Sequence, residues 1–311
     1  MADTMTGKTS KDTILVFTVA HPALPEKLSR WNVVMGVPSL PELSDEERAS
    51  VRVIVQAGSH KTGAAEMDRY PNLGRIVTTS AGFEGVDAKA AEARGIDIRT
   101  GVGANAEDVA DMAVTLALAA MRRVFQSDAS IRSGGWAGRK YAPIRSVYQH
   151  KVGIVGLGNI GRAIADRLKV FKCPIAWTGP RPKPDVDLPY VPDLLELAKQ
   201  SDVLIVAAHL DASTRKMINR EVIEALGPEG ILVNVGRGGL VDEDELIAAL
   251  REGRLGGAAL DVFEQEPTPA ERWADVPNTI LSPHVAAVTH GAMAKTLGRA
   301  VGSVTEFLDK A

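Results

Sequence analysis

Four stretches of the 311-residue chain hold residues whose types and spacing suit chemistry. Residues 151–161 read K-V-G-I-V-G-L-G-N-I-G, so Gly156, Gly158 and Gly161 form G-x-G-x-x-G directly after an apolar run and at the start of a helical pattern. In that setting the first glycine permits a tight turn, the second lets the backbone approach a pyrophosphate, and the third lets helix and strand pack closely. The N–H groups that open the helix then face the phosphates, with Leu157, Asn159 and Ile160 in the same turn. The other three stretches each close an apolar strand. Arg237 follows I-L-V-N-V-G, Asp261, Glu264 and Glu266 lie in A-L-D-V-F-E-Q-E-P, and His284 ends I-L-S-P-H. A lone His is more often structural and a lone Arg more often on the surface. Three strand ends that deliver an Arg, a carboxylate and a His to one rim place them where open α/β sheets bind ligands. Such a set can bind an anion and move a proton near neutral pH.

The glycine loop also sets a test of cofactor type. An acid about 20 residues further on would accept hydrogen bonds from the ribose hydroxyls and repel a 2′-phosphate. Residues 175–183 read I-A-W-T-G-P-R-P-K and contain no acid; Asp185 and Asp187 come later. Thr178, Arg181 and Lys183 offer a hydroxyl and two cations instead, and an Arg at this place suits a 2′-phosphate. NADPH is therefore expected over NADH.

Stepping out to the elements, short β-branched runs alternate with helical patterns, which argues for parallel sheets. Strands are expected at 13–19, 51–55, 75–79 and 96–99, with helices at 64–69 and 86–94, the second closed by Gly95. A long helix, continuing to about residue 125, begins near Asn105, where Asn105 and Asp108 resemble a capping box and Ala residues form one face. A Gly-rich break at 133–143, containing Trp136 and Tyr141, precedes a second α/β unit. Its strands are expected at 152–155, 175–177, 203–207, 231–235, 258–260 and 279–281, with helices near 160–170, 193–200, 220–226 and 243–251 and a final helix at 290–309. The fold expected is α/β, with two Rossmann-like doubly wound parallel-sheet domains.

Composition fits a globular chain of about two domains. Apolar residues are 45% and charged residues 24%, an ordinary balance. Lys+Arg is 36 against Asp+Glu 39, so no positive excess supports binding to a nucleic-acid backbone. The single Cys173 excludes an internal disulfide and fits a reducing cytoplasm. The first twelve residues are polar, unlike a signal peptide, and are expected to fray. The longest apolar stretch, near 112–121, is too short for a bilayer. No metal and no membrane partner is expected.

The chain resembles the D-isomer-specific 2-hydroxyacid dehydrogenase family over nearly its whole length. The resemblance rests on G-L-G-N-I-G (156–161), S-D-V-L-I-V-A-A-H-L (201–210), N-V-G-R-G-G-L-V-D-E-D-E-L (234–246), A-L-D-V-F-E-Q-E-P (259–267) and S-P-H-V-A (282–286). Within the family it looks most like the NADPH-linked glyoxylate/hydroxypyruvate reductases, mainly through residues 178–181. The resemblance implies that Arg237 binds the substrate carboxylate and polarises its keto oxygen. It implies that His284 donates the proton, and that Glu266 rather than Glu264 orients it, because the family pattern is D-V-F-x-x-E-P. Asp261 would contact the nicotinamide end, and His209, Val235 and Ala286 would line the cofactor. Ala81 and Gly82 match a loop whose amides bind the carboxylate, and residues 57–59 match a second substrate loop. The family architecture puts residues 1–103 and 287–311 in a discontinuous substrate-binding domain and 104–286 in the dinucleotide domain. The active site would lie in the cleft between them, in a homodimer.

Rival readings differ at specific residues. Formate dehydrogenases of this fold pair their His with Gln, where Glu266 stands here. Phosphoglycerate oxidation is disfavoured by an end at Ala311 without an appended regulatory domain. A dinucleotide-sensing corepressor can keep the catalytic residues, but short termini without a peptide-docking extension favour an enzyme. The expected reaction is reduction of a small 2-keto acid, of glyoxylate or hydroxypyruvate type, to the D-2-hydroxy acid.

Overall fold

Short runs that are apolar along their whole length belong in parallel strands covered on both faces, because neither face can stay in water. The computed structural model of the chain describes residues 12–18, 21–36, 40–80, 82–136 and 143–310. Those residues form two units, Met1–Asn105 with Thr289–Ala311, and Ala106–Val288.

The first unit holds β1 (Thr13–Phe17), β2 (Asn32–Met35), β3 (Val51–Gln56), β4 (Arg75–Thr78) and β5 (Asp97–Arg99). All pair in parallel, in the order β2-β1-β3-β4-β5. Every residue of β1 and β4 is buried. The helix His290–Leu308 packs Ala300, Val304 and Leu308 against Ile14, Val16, Val53 and Val55 on one face of the sheet, so the end of the chain completes the unit that its beginning starts. Leu15, Ile54 and Ile76 face Met67, Tyr70 and Ala91 on the other.

The second unit holds β6 (Val152–Val155), β7 (Ile175–Thr178), β8 (Val203–Val206), β9 (Ile231–Asn234), β10 (Gly257–Leu260) and β11 (Thr279–Leu281). These pair in parallel in the order β11-β10-β9-β8-β6-β7. A single parallel bridge from Trp177 to Tyr190 extends the sheet beyond β7. The chain reverses direction across the sheet between β6 and β8, which is where open α/β sheets bind ligands. The helices Ala106–Met121 and Asn159–Val170 cover one face. Alanines 106, 110, 113 and 117 are buried, and this small-residue face lies against Asn159–Val170. Arg167 clamps the same two helices through Glu107 and Asp111 at 2.8 and 2.6 Å. Helices Leu194–Lys199, Arg220–Leu226 and Glu243–Arg251 cover the other face. Asp193 and Asn219 cap the first two of these by accepting from Glu196 N and Val222 N, a use of short polar side chains that satisfies otherwise orphaned N–H groups.

Several sequence expectations change here. The helix from Asn105 stops at Met121, and a second helix, Val124–Arg132, begins after Arg123, whose φ is +51°. One left-handed residue is enough to break the ladder that periodicity alone would continue. Asn105 Oδ1 accepts no hydrogen bond, so the expected capping box does not form. The half-buried edge strand β2 and the helix Asp45–Ser50, opened by a Ser44–Glu47 capping box, escaped the sequence reading because both are short. Gly95 does close its helix, at φ +67°. The frayed start at 1–11, Val19 of the first expected strand, Ala81, and residues 137–142 including Tyr141 lie outside the described residues. No helix among the described residues is long and apolar enough to cross a membrane.

Candidate active site

The strand β6 is buried throughout and delivers Gly156 at φ +90°, a conformation that L side chains rarely adopt. A Cβ there would lie 2.7 Å from Ala208 Cα, and a Cβ on Gly161 would lie 2.1 Å from Gly156 O, so the turn closes only without side chains. Gly158 differs. It is the N-cap of Asn159–Val170, makes no side-chain cap, is exposed, and has open space where a Cβ would go. The first-turn N–H groups of that helix therefore face an unobstructed approach, which fits a pyrophosphate. Leu157 is buried beneath the turn, while Asn159 is exposed and Ile160 half-buried at the helix start.

The segment after β7 folds back over this turn. Lys183 Nζ donates to Leu157 O at 2.7 Å, Arg162 pairs with Asp185 at 2.8 Å, and Tyr190 donates to Gly179 O at 2.9 Å. Arg181 is exposed. Thr178 is buried and turns its hydroxyl to Pro192 O at 3.4 Å. Val235 is buried after β9, and His209 is exposed after β8 with its carbonyl accepting from Thr214.

The ends of β9, β10 and β11 lie side by side in the sheet, and they bring Arg237, Glu266 and His284 together. Asn234 is a polar residue at the end of an apolar strand, and it is fully enclosed. Its side chain accepts from Gly236 N at 3.1 Å and donates to Arg237 O at 3.0 Å, which fixes the turn that carries Arg237. Arg237 is half-buried, and its Nη1 donates to Gly236 O at 2.8 Å. Asp261, 1% exposed, accepts from Val285 N and Ala286 N, both at 3.0 Å. These two residues follow His284, whose own φ is +54°. A non-glycine residue held in that region costs about 1–3 kcal/mol and persists where its surroundings impose it. The paired bonds to Asp261 are such an imposition.

Glu266 accepts from Phe263 N through Oε1 at 3.0 Å, and Oε2 lies 2.7 Å from His284 Nδ1. Glu264, the competing carboxylate, points instead toward Lys216, 4.0 Å away. The His284–Glu266 contact assigns the Nδ1 proton and leaves Nε2 as the nitrogen that exchanges a proton with a ligand. The hydrogen bond to Glu266 raises the His284 pKa above its ordinary value; partial burial and the Arg237 charge oppose this and do not prevail. Burial pushes Glu266 up, but the bonds from His284 and Phe263 N and the charges of His284 and Arg237 outweigh it, so its pKa falls below the usual carboxylate value. The pair therefore stays charged over a wider window than the two ordinary values would give: it is lost on the acid side as Glu266 protonates and on the alkaline side as His284 deprotonates. Nearly half of the His284 side chain is reachable from outside. A cavity of about 510 Å³ opens beside the pair, walled by Phe263, Pro267, Leu281 and Pro283.

In the first unit, Ser80 joins the two expected substrate loops. Its hydroxyl accepts from Gly58 N at 3.0 Å and donates to Gly82 O at 2.9 Å. Gly82 is buried; Ala81 lies outside the described residues. Sequence reasoning missed Asn234, and the signal for it was a polar residue closing an otherwise apolar strand. Among the described residues, no group of three or more His, Cys, Asp and Glu side chains is placed to hold a metal ion.

The chain is also similar to known proteins. The family described as D-isomer specific 2-hydroxyacid dehydrogenase, NAD binding domain, matches residues 114–286. The chain is 42% identical over 247 residues to glyoxylate/hydroxypyruvate reductase A of Arabidopsis thaliana, covering 79% of each. It is 41% identical over 240 residues to hydroxyphenylpyruvate reductase of Plectranthus scutellarioides, covering 77% of each. Among solved structures, the NADPH-dependent glyoxylate/hydroxypyruvate reductase of Sinorhizobium meliloti, in complex with NADP and malonate, superposes with a TM-score of 0.87 at 34% identity, covering 96% of this chain and 94% of that one.

Two outcomes are expected from this geometry. Gly161→Ala should lower unfolding free energy by about 1–3 kcal/mol in urea titration, since its Cβ meets backbone. Gly158→Ala should cost less than about 1 kcal/mol yet weaken dinucleotide binding in calorimetry. Equal effects from the two would contradict the division of labour between them. Separately, Glu266→Gln should bring the His284 pKa, followed by imidazole NMR, back down toward about 6.5. An unmoved value would mean that Glu266 does not set it.

Proposed function

The chain belongs to the D-isomer-specific 2-hydroxyacid dehydrogenase family, and from that premise we propose how its residues divide the reaction. The protein is an oxidoreductase that reduces a 2-keto acid to the D-2-hydroxy acid with a nicotinamide cofactor. One observation carries the assignment of roles: His284 and Glu266 in contact at 2.7 Å, with the Arg237 charge acting on both.

When bound, the nicotinamide supplies the hydride. Arg237 binds the substrate carboxylate and polarises the keto oxygen, which its planar, permanently charged fork suits. His284, kept protonated by Glu266, gives its Nε2 proton to that oxygen as the carbinol forms. Glu266 orients the ring through Nδ1 and stabilises the imidazolium. Asp261 shapes the nicotinamide end by holding Val285 and Ala286. Ala81 and Gly82 supply backbone amides for the carboxylate. Residues 104–286 are the dinucleotide domain, and residues 1–103 with 287–311 the substrate domain.

Gly156, Leu157, Gly158, Asn159, Ile160 and Gly161 hold the pyrophosphate, while Val235, His209 and Ala286 line the rest of the cofactor. NADPH is preferred. That reading is supported by the exposed Arg181, by the lack of an acid at the end of β7, and by Lys183 reaching across to the phosphate turn. Thr178 donates its hydroxyl hydrogen to Pro192 O, which leaves its oxygen as an acceptor for the cofactor. The single cysteine supports a reducing, cytoplasmic setting. The protein acts as a homodimer. Val124, Phe125, Ile131 and Trp136, each 46–71% exposed, form an apolar run on and after one helix that a partner copy would cover.

Steady-state reduction of a panel of 2-keto acids with each cofactor tests the roles. kcat/KM with NADPH should exceed that with NADH by about tenfold or more, the value of one charge-assisted hydrogen bond; the reverse order overturns the cofactor assignment. His284→Ala should lower kcat by about 10²–10⁴-fold with cofactor binding intact. Arg237→Ala should chiefly raise the KM for the keto acid. Because His284 must be protonated, reduction by the parent should decline as pH rises through its raised pKa. In light scattering the protein should have twice the chain mass, and Phe125→Asp with Trp136→Asp should reduce it to one chain; a parent of single-chain mass would refute the dimer.

A further inference from the structure

Glu243 opens the helix Glu243–Arg251, where an exposed acidic residue would be ordinary. It is instead buried, 2% exposed. A carboxylate is rarely enclosed to that degree unless its oxygens are satisfied. Here both are. Oε1 accepts a hydrogen bond from Glu264 N, and Oε2 accepts from Arg272 Nε at 3.3 Å, while Arg272 Nη2 donates to Asp244 at 2.8 Å. Burial pushes the Glu243 carboxyl above its usual range, against the pull of the Glu264 N–H and Arg272.

The peptide that Glu243 holds, Phe263–Glu264, adjoins at the Phe263 Cα the Val262–Phe263 peptide whose N–H the proton donor's partner uses. Phe263 N, one residue before Glu264, donates to Glu266 Oε1, and the other oxygen of Glu266 meets His284. The same peptide also packs closely on Gly238, where a Cβ would lie 1.8 Å from Phe263 C and 2.3 Å from Glu264 N. Gly238 directly follows Arg237. The Phe263–Glu264 peptide is therefore contacted by both the turn carrying Arg237 and the carboxylate of Glu243. A shift of that peptide would move Phe263 N, and with it the orientation of Glu266.

We propose that Glu243 is a positioning residue for the reduction: its buried carboxylate fixes the Phe263–Glu264 peptide against Gly238, and so sets Glu266 and, through it, His284. Glu243 touches neither substrate nor cofactor in this account. The inference rests on the reading of His284 as proton donor and Glu266 as its partner. Glu243 stands in V-D-E-D-E-L, a stretch that the sequence marked as motif but to which it assigned no role.

The test uses the full chain with NADPH and glyoxylate, following kcat, the KM for each substrate and the alkaline limb of the pH profile. Glu243→Met removes the acceptor at similar volume. It should lower kcat by about tenfold, a part of the about 10²–10⁴-fold that acid–base catalysis supplies. The alkaline limb should move to lower pH by about half a unit or more, since His284 loses part of its partner. The KM for NADPH should stay near the parent's. Glu243→Gln keeps an oxygen for Glu264 N and should restore most of kcat and the limb. Glu243→Asp keeps the charge and the pairing with Arg272 but is one methylene short of Glu264 N, so it should fall between. A Met variant with the parent's kcat and limb overturns the proposal. If the Met variant does not fold, an Asp variant with the parent's kcat and limb overturns it equally. His284→Ala, run alongside, separates the two levels. A nearly inactive His284→Ala with an unaffected Glu243 series sinks the positioning role alone, whereas an active His284→Ala sinks the proton-donor reading and the positioning role with it.

Discussion

The contact between His284 Nδ1 and Glu266 Oε2 sets the terms for the rest of the second unit. An imidazole that must carry a proton near neutral pH needs an anion beside it, and that anion must stay ionised while partly enclosed. Both requirements fall on backbone. Glu266 keeps its charge with help from Phe263 N, and His284 is held in a left-handed conformation by two amides bound to Asp261. The local cost is conformational, and the surrounding turns, each fixed by a buried polar side chain, bear it.

Those turns repeat one construction. A strand runs apolar until its last position and then presents a polar group that hydrogen-bonds the backbone beyond it. Asn234 does this after β9 and Asp261 after β10, while Glu243 does it from a helix start. Each is nearly fully buried. Enclosed polar groups stiffen a structure when every partner is made, and they penalise any arrangement in which one is not. A fully apolar rim would leave the loops freer to shift, and a proton donor misplaced by about 1 Å loses much of its advantage. On the same rim but nearer the other edge of the sheet, the phosphate turn uses the opposite device: it omits side chains, so that backbone packs on backbone at Gly156 and Gly161 and stands open at Gly158.

Much of this was legible in the chain. The six strands of the second unit are β-branched runs between helical patterns, and their order of appearance matches the observed elements to within a residue or two. The glycine spacing, Arg237, Glu266 and His284 could be named from residue type and position at strand ends. What was not legible depended on single backbone angles and on short elements. Nothing in the periodicity of residues 105–125 announces that Arg123 turns left-handed and splits the helix. The edge strand β2 is only half buried, so its hydrophobic pattern is weak.

By itself, the sequence determined which chemical groups stand at the ends of β6, β9, β10 and β11, because the apolar runs define those ends and the polar residues follow them directly. It could not decide between Glu264 and Glu266 without resemblance to a family, nor show that Glu243 acts anywhere. The two carboxylates are two residues apart on one loop, and their directions depend on how that loop is pinned. The tertiary structure turned Glu266 to His284 and Glu264 toward Lys216, and it brought both Gly238 and Glu243 against the peptide between Phe263 and Glu264. Gly238 and Glu243 both follow β9 and the peptide follows β10, so their convergence exists only once β9 and β10 lie side by side in the folded sheet.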